Sequence, residues 1–395
     1  MLTFSKFSGI NNVLPTEQLV PEPRTEITPL TAAANVDVGF KGELRRRSGY
    51  SQASELCHSN LHQADGFMLA TCSGDLTAIW PNATRVVLYP ALGYTRVWYC
   101  NLPDGRTTFS NGLICGITDG LTMTTWGVPV PPSIGALTPV SGDLFPGDYQ
   151  YYITYVRLSD GLEGGPAYSN PAAVPDGGVL LTGLPVLAGH SINVYLTAQN
   201  GDIGFLAGNT VTAAFSYLGK NDALTLPCRT EYLNPAPAGT VSAFWRGRVL
   251  EAVGSVLYAS KTNGWEVFDF RRDFKQFAES ITLIQPVDDG VYVGTETELA
   301  FLSGVEFDKL AYRQVIAAGV VLGSGVAVRG ELVRQGDGAG QGAAMVCIAD
   351  RVLVAGFNGG NVARMTEGRY TTSATEVAAT FRMNNGMPQY LAVPQ

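Results

Sequence analysis

The chain has 395 residues, of which 46% are hydrophobic and only 15% charged, so it is too apolar for an intrinsically disordered protein. Its formal net charge of −8 argues against general nucleic-acid binding, because that role needs cationic groups that displace phosphate counterions. The 46 glycines and 22 prolines lie among Val, Leu, Thr and Tyr, a mixture typical of short strands joined by tight turns. We therefore predict an all-β protein.

The first residues, MLTFSKFSGINN, lack the basic segment and apolar core of a secretory signal. The six cysteines form no C-x-x-C pair and are predicted to be free, buried thiols. No uninterrupted apolar stretch reaches the roughly 20 residues that a membrane-spanning helix needs. We expect a soluble protein that is made in a reducing compartment.

Residues 1–50 are predicted to form an extended N-terminal arm. Four prolines between residues 15 and 29 disfavour a regular helix and most central strands. The segment ANVDVGF then alternates as a strand does, with Val36 and Val38 on one face. It leads into GELRRRSGYS, where Arg45, Arg46 and Arg47 have no aromatic residues among them. A local salt-bridge or subunit-contact role is favoured over a nucleic-acid patch.

A hairpin unit recurs along the rest of the chain: an apolar run, a turn containing glycine, and a second apolar run. It is found in 66–80, 106–126, 247–260, 289–304 and 350–368. Equivalent positions Val249 and Val291 lie 42 residues apart. A period of about 40–45 residues with several strands per period is typical of a β-propeller blade. We predict a β-propeller over 51–132 and 239–395, with a β-sandwich of irregularly spaced hairpins as the alternative.

Two proline-rich segments, 129–142 and 233–239, interrupt this repeat. Between them, the segment GDYQYYITYVR places Tyr151 and Ile153 on one face of a strand, together with other alternate residues. We predict that 133–238 is an inserted β-sandwich similar to immunoglobulin or fibronectin III modules. The predicted fold class is thus an all-β, β-propeller-like domain with an inserted immunoglobulin-like sandwich.

Residues that could carry catalysis are few. The segment CHSNLH contains His58 and His62, and an i, i+4 histidine pair on a helix could bind zinc. This segment is predicted to lie just before a strand and has no second pair downstream, so a structural role is favoured. Asp288 and Asp289 precede a glycine and are predicted to form a turn. We predict no catalytic residue, no metal ligand, no cofactor and no hydrolytic activity.

Two regions of the sequence resemble proteins of bacteriophage tails. FSGINNVLPTEQL, followed by ANVDVGFKGELRRRSGYS, is similar to the opening of tail proteins of tailed bacteriophages. The segments FWRGRVLEAVGSVLYASKTNGWEVFDF and LIQPVDDGVYVGTETELAFLSG resemble the central blades of podovirus tail nozzle proteins. The resemblance is a pattern of blades, without a catalytic motif. The chain is short for a nozzle, and the inserted sandwich is not an obligatory part of that family.

The resemblance implies a structural virion protein, a nozzle or tube component of the tail below the portal and adaptor, through which the genome is retained and ejected. It implies a homo-oligomer, predicted to be a hexamer, that contacts adaptor or portal-side proteins and tail fibre or spike proteins. Viral DNA would pass transiently through its channel. The chain would be made in the bacterial host cytoplasm, without membrane insertion, and would act in the virion.

An arm with apolar side chains and no core of its own must be covered by the propeller or by a neighbouring subunit. Closed rings use heterologous contacts, in which one subunit's arm reaches a different surface of the next subunit. The predicted subunit-contact residues are Phe4, Phe7, Arg45, Arg46 and Arg47.

Two other functions stay open on the sequence. A propeller module that binds a host receptor or glycan would need an aromatic cluster on its blade tops, which the five tryptophans could supply, although tryptophans also fill blade cores. A glycosidase-like enzyme would need acids on both sides of a pocket, and no spacing in this chain supports one.

Overall fold

The computed structural model describes residues 6–20, 27–39, 42–47, 49, 51–52, 54–335, 338–384 and 386–395. Short, mostly antiparallel strands make up this part of the chain. Its helices are single 3₁₀ turns at Thr16–Gln18, Asn221–Ala223, Phe307–Lys309, Gly330–Leu332 and Asn358–Gly360. The prediction of an all-β protein is confirmed.

The arm contains two small sheets. One is parallel and the other is an antiparallel hairpin. Their strands are β1 (Lys6–Ile10) with β2 (Ile27–Leu30), and β3 (Val36–Val38) with β4 (Leu44–Arg46).

Five antiparallel sheets with four main strands each then follow in the described part of the chain, and we call them blades 1 to 5. Two of them precede the insert. Blade 1 comprises β5 (His58–Gln63), β6 (Met68–Cys72), β7 (Asp75–Ile79) and β8 (Arg85–Tyr89). Blade 2 comprises β9 (Trp98–Asn101), β10 (Thr107–Ser110), β11 (Cys115–Thr118) and β12 (Met123–Thr125).

The insert lies between blades 2 and 3 and contains nine strands. They form two larger sheets, in the orders β13-β18-β21 and β16-β15-β19-β20, and a small pair, β14-β17. Their bounds are β13 (Ala136–Ser141), β14 (Gly147–Tyr149), β15 (Tyr151–Arg157), β16 (Ala167–Tyr168), β17 (Ala172–Val174), β18 (Gly177–Thr182), β19 (His190–Thr197), β20 (Gly204–Thr210) and β21 (Ala214–Tyr217).

The remaining three blades and a C-terminal hairpin complete the chain. Blade 3 comprises β22 (Val241–Trp245), β23 (Arg248–Val253), β24 (Val256–Lys261) and β25 (Gly264–Phe268), with β26 (Phe274–Gln276) also on β24. Blade 4 comprises β27 (Ile281–Val287), β28 (Gly290–Thr295), β29 (Leu299–Ser303) and β30 (Ala311–Ile316). Blade 5 comprises β31 (Val326–Arg329), β34 (Ala343–Ala349), β35 (Val352–Gly356) and β36 (Val362–Arg364), and it holds a small β32 (Arg334–Gln335), β33 (Gly338–Ala339) ribbon. The C-terminal hairpin pairs β37 (Val377–Asn384) with β38 (Met387–Pro394).

The blades repeat at the predicted interval. Their first strands begin at residues 58 and 98 and, after the insert, at 241, 281 and 326, so neighbouring blades are 40 to 45 residues apart. Successive blades pack face to face through separate apolar cores. The pairs that meet are Leu76 with Phe109, Trp126 with Phe268, Leu250 with Val291, Tyr292 with Met345, and Val328 with Tyr390 of the hairpin. This serial packing of four-stranded sheets is a β-propeller, and the predicted propeller is confirmed.

One side chain links blade 2 to the C-terminal hairpin. Arg96, just before β9, donates from Nη1 to a carboxylate oxygen of Glu376 at 2.9 Å and to the carbonyl oxygen of Val377 at 2.8 Å. Its guanidinium carbon lies 4.2 Å from the ring centroid of Trp98. Blade 2 is therefore attached to the start of the C-terminal hairpin.

The insert has its own core between its two larger sheets. Tyr151, Ile153 and Tyr155 of β15 are buried in this core, opposite Val179 and Leu181 of β18, as the alternation predicts. The chain enters and leaves the insert side by side, since the Ala236 amide donates to the Trp126 carbonyl oxygen at 2.9 Å. We call the insert the sandwich. Its likeness to immunoglobulin modules stays a prediction.

Candidate functional site: the arginine cleft and the arm

The predicted contact arginines lie on and directly after β4. Arg45 stands opposite Asp37 of β3 in the hairpin register. Arg47 donates from Nε to Asp37 Oδ1 at 2.9 Å, and Arg45 Nη2 lies 2.9 Å from Glu43 Oε1. Because the side chains of Arg45 and Arg47 are 68% and 52% exposed, these pairs contribute at most about 1 kcal/mol each. The hairpin thus presents its positive charge to solvent, and Arg46 is exposed as well.

A cleft of about 770 Å³ separates this hairpin from the C-terminal hairpin. One face of the C-terminal hairpin forms a wall, with Arg382 opposite Gln389 and Asn384 opposite Met387. The Nε of Arg382 donates to Gln389 Oε1 at 3.0 Å. The charged side chains that line the cleft are Asp37, Glu43, Arg45, Arg46, Arg47 and Arg382. Four arginines against two carboxylates give this arginine cleft a net charge of +2.

The arm is attached to the propeller mainly by polar contacts. Asn12 donates from Nδ2 to the Thr371 carbonyl oxygen at 2.8 Å and accepts from the Thr371 amide at 2.9 Å. The predicted contact residue Phe7 is half-buried in β1, and its amide donates to the Gly42 carbonyl oxygen at 2.8 Å. The other predicted phenylalanine, Phe4, lies outside the described residues.

The described part of the arm contributes no residue to the apolar cores. Among the described residues that precede Ala64, none is buried. Val13, Leu14 and Val20 are exposed. In the isolated chain, the described arm residues leave some apolar side chains exposed and others only half-buried, which is unfavourable for a monomer.

The histidine segment is placed differently from its prediction. It does not precede a strand, because His58–Gln63 is itself β5, the first strand of blade 1. Because the half-buried residues of this segment are polar, its sequence pattern does not predict a strand. The His62 ring stacks on Tyr99 at 4.8 Å, and its Nε2 is 2.8 Å from Asn101 Oδ1. Burial lowers the pKa of His62, and the hydrogen bond to Asn101 opposes that shift in part.

The turn at Asp288 and Asp289, between β27 and β28 of blade 4, is hydrogen-bonded to blade 5. Asp288 Oδ2 accepts from the Ala343 amide and from Asn358 Nδ2, both at 2.8 Å. Asp289 Oδ2 accepts from the Gly359 amide at 2.7 Å. These bonds, led by the one from Asn358, hold the pKa of Asp288 below its usual value. The two carboxylates bind backbone and amide groups, in agreement with the predicted turn.

A charge cluster that no sequence pattern indicates lies at the junction of blade 2, blade 3 and the sandwich. Glu266 of β25 accepts from Arg106 Nη1 at 2.7 Å and from Arg157 Nη1 at 2.9 Å. Arg157 also donates to Asp160, with Nη2 to Oδ2 at 2.6 Å. Hydrogen bonds to Asp160 come first among the causes that raise the pKa of Arg157. The cluster holds the sandwich on the propeller, and we call it the junction cluster.

Within the described residues, no three His, Cys, Asp or Glu side chains are placed to hold a metal ion. In the same part of the chain, no helix has both the length and the hydropathy that a membrane span requires.

Comparison with known proteins gives no family. No family model matches the sequence, and no curated protein is similar to it. Among solved structures, the chain is similar to a streptogramin B lyase at 9% identity, covering 82% of this chain and 89% of that one, with a TM-score of 0.31. It is similar to the Neurospora crassa Pan2 WD40 domain at 8% identity, with 85% of each chain covered and a TM-score of 0.33. It is also similar to BBS1N in complex with ARL6DN at 10% identity, covering 86% and 88%, with a TM-score of 0.31. Likeness at this level assigns neither an activity nor a partner.

Proposed function

We propose that this chain is a structural subunit of a bacteriophage tail, a nozzle or tube component through which the genome is retained and ejected. The observation that carries the proposal is the arm, in which none of the described residues is buried. A segment of that length with defined strands and exposed apolar side chains is stabilised when a neighbouring subunit covers it.

A closed ring satisfies this requirement for every subunit. In a heterologous contact, the arm of one copy covers a different surface of the next copy, and the contacts end when the ring closes. We propose six copies, as the resemblance to podovirus nozzle proteins implies. The segments that carry that resemblance fold as parts of blades 3 and 4.

The charge of the chain supports a channel role. A net charge of −8 disfavours the counterion release by which proteins hold DNA, so the polymer can pass the wall of a channel without binding to it.

The test compares particles produced with the full-length chain and particles produced with a chain that lacks residues 1–45. Because no described arm residue is buried, the truncated protein should fold, with a melting temperature within a few degrees of the full-length value. It should be missing from gradient-purified particles, as measured by quantitative mass spectrometry. Equal incorporation of both chains, or absence of the full-length chain from particles, would contradict the proposal.

Receptor or glycan binding is the second candidate, and one feature of the sandwich favours it. Tyr168 is 41% exposed, and its ring lies 4.7 Å from that of Tyr152, edge to face. Burial, followed by the charge of Glu231, raises the pKa of Tyr168. An exposed tyrosine offers a sugar both an aromatic face and a hydroxyl that can form hydrogen bonds. Binding to a host-surface glycan that Tyr168→Ala abolishes, without loss from particles, would support this function.

A further inference from the structure

We propose that the arginine cleft of one copy receives the acidic end of the sandwich of a second copy. This inference rests on the proposed ring and names the two surfaces that form one of its subunit contacts.

Part of the positive charge of the cleft has no ion-pair partner within the described residues. Arg45 and Arg47 are paired with Glu43 and Asp37. For Arg46 and Arg382, no ion pair occurs within the described residues, and both are exposed. A carboxylate that entered the cleft could accept charge-assisted hydrogen bonds from either guanidinium.

The sandwich carries most of the net negative charge of the chain. Residues 133–238 contain eight Asp and Glu against three Lys and Arg, a net charge of −5 out of −8. Five exposed aspartates lie at one end, three in loops, one in β14 and one in the Asn221–Ala223 3₁₀ turn, with Lys220 as the basic residue among them. These aspartates are Asp143, Asp148, Asp176, Asp202 and Asp222. We call this end of the sandwich the acidic tip.

Hydrogen bonds hold these segments together. The Gly142 amide donates to the Asp176 carbonyl oxygen at 2.9 Å, and the Asn200 amide donates to the Asp148 carbonyl oxygen at 2.9 Å. The Phe145 amide donates to Asn221 Oδ1 at 2.9 Å. The five carboxylates therefore belong to one surface.

The acidic tip points away from the propeller. The far end of β15 is Arg157, which the junction cluster binds to Glu266 of blade 3. The tip lies at the other end of this seven-residue strand, roughly 20 Å away at about 3.3 Å per residue. A projecting acidic surface can reach a neighbouring subunit.

Surface chemistry favours this pairing. The tip adds Phe145, which is 57% exposed, and the cleft adds Met387 and Leu391 as apolar lining. Within the described residues, no ion pair links the cleft to the tip of the same chain. Two different surfaces on identical chains make a heterologous contact, which is the kind that builds rings.

The test is a charge exchange in the full-length protein. The cleft variant carries Arg46→Glu with Arg382→Glu, and the tip variant carries Asp143→Lys with Asp176→Lys. Self-association of each is measured by sedimentation velocity at about 50 mM and about 300 mM salt, since screening weakens exposed ion pairs. Wild-type protein should associate, and more weakly at the higher salt. Each variant alone should self-associate at least about ten-fold more weakly than the wild type, because its altered surface then meets a surface of like charge.

An equimolar mixture of the two variants should regain association, because each reversed surface then meets its complement. A control variant, Arg272→Glu with Lys309→Glu, makes the same charge change as the cleft variant on exposed positions of blades 3 and 4, and it should associate like the wild type.

The outcomes separate this contact from the ring itself. If wild type and both variants associate equally, the cleft–tip contact is wrong while the ring stands. If the mixture regains nothing, the contact is also wrong, since charge is then not the cause of the loss. If the wild-type protein binds a short DNA duplex through Arg46 and Arg382, and its self-association does not depend on these two residues, the cleft is a nucleic-acid site. A wild-type chain that never associates, in solution or in particles, overturns both proposals.

Discussion

Glu251 is a fully buried acid in the middle of blade 3. It lies on β23 beside Gly239, and neither of its carboxyl oxygens has a partner with full hydrogen-bond geometry among the described residues. Burial raises the pKa of Glu251 well above its usual value, and the Gly239 amide opposes this only in part. Burial, with the Glu251 charge as a second cause, also raises the pKa of Cys115 to about 11. The blade therefore holds Glu251 as the neutral acid.

We expect Glu251→Gln to change how stability depends on pH. In the wild type, the unfolded chain releases the Glu251 proton above about pH 4.3 while the folded chain retains it, so the free energy of unfolding falls as pH rises. The variant lacks this proton. The free energy of unfolding of the variant, minus that of the wild type, should therefore rise between pH 5 and 8 by up to about 1.4 kcal/mol per pH unit, measured by chemical denaturation. The exposed control Glu279→Gln should show no such trend, and a pH-independent difference for Glu251→Gln would contradict the neutral acid.

The junction cluster should dominate the polar contribution to stability. Glu266 is 7% exposed and binds two arginines, so Glu266→Gln leaves Arg157 buried with less compensation. Removing one member of a buried ion pair costs about 3–5 kcal/mol. Glu306→Gln is a matched control, because the pair it forms with Lys309 is exposed and contributes at most about 1 kcal/mol. If both variants lower the melting temperature by similar amounts, the junction cluster contributes no more to stability than an exposed ion pair does.

At the scale of elements, the sandwich is an insertion whose two connections meet. Its own core and the contact between Trp126 and Ala236 make it separable from the blades. Replacing residues 133–238 by a short Gly-Ser bridge should leave a soluble propeller that melts in one cooperative transition, as measured by calorimetry. An Arg157→Met variant of the full chain is the control for loss of the junction cluster alone. Aggregation of the bridged chain, with that control soluble, would mean that the blades need the sandwich.

Local chemistry decided which elements the sequence could predict. The hairpin predicted over 66–80 is confirmed as β6 and β7, and its turn lies at Ser73 and Gly74, which both take positive φ between apolar runs. The first strand of blade 1 was missed, because β5 alternates between half-buried and exposed polar residues. The junction cluster cannot be predicted from the sequence, since Arg106 and Glu266 are 160 residues apart in the chain. No local pattern reports such a contact.

At the scale of the molecule, the exposed arm, the arginine cleft and the acidic tip lie outside the blade cores. The cores between blades are complete within one chain, while these three surfaces have apolar or charged groups that the same chain leaves uncovered. This division is expected of a subunit that folds alone and then assembles.

Cryo-electron microscopy of intact particles tests the central claim most directly. The account predicts a ring of density in the tail with six-fold symmetry, into which the propeller fits, with each arm lying on the adjacent subunit. A particle whose tail density cannot accommodate this propeller in a closed ring, or one that lacks the chain altogether, would contradict it.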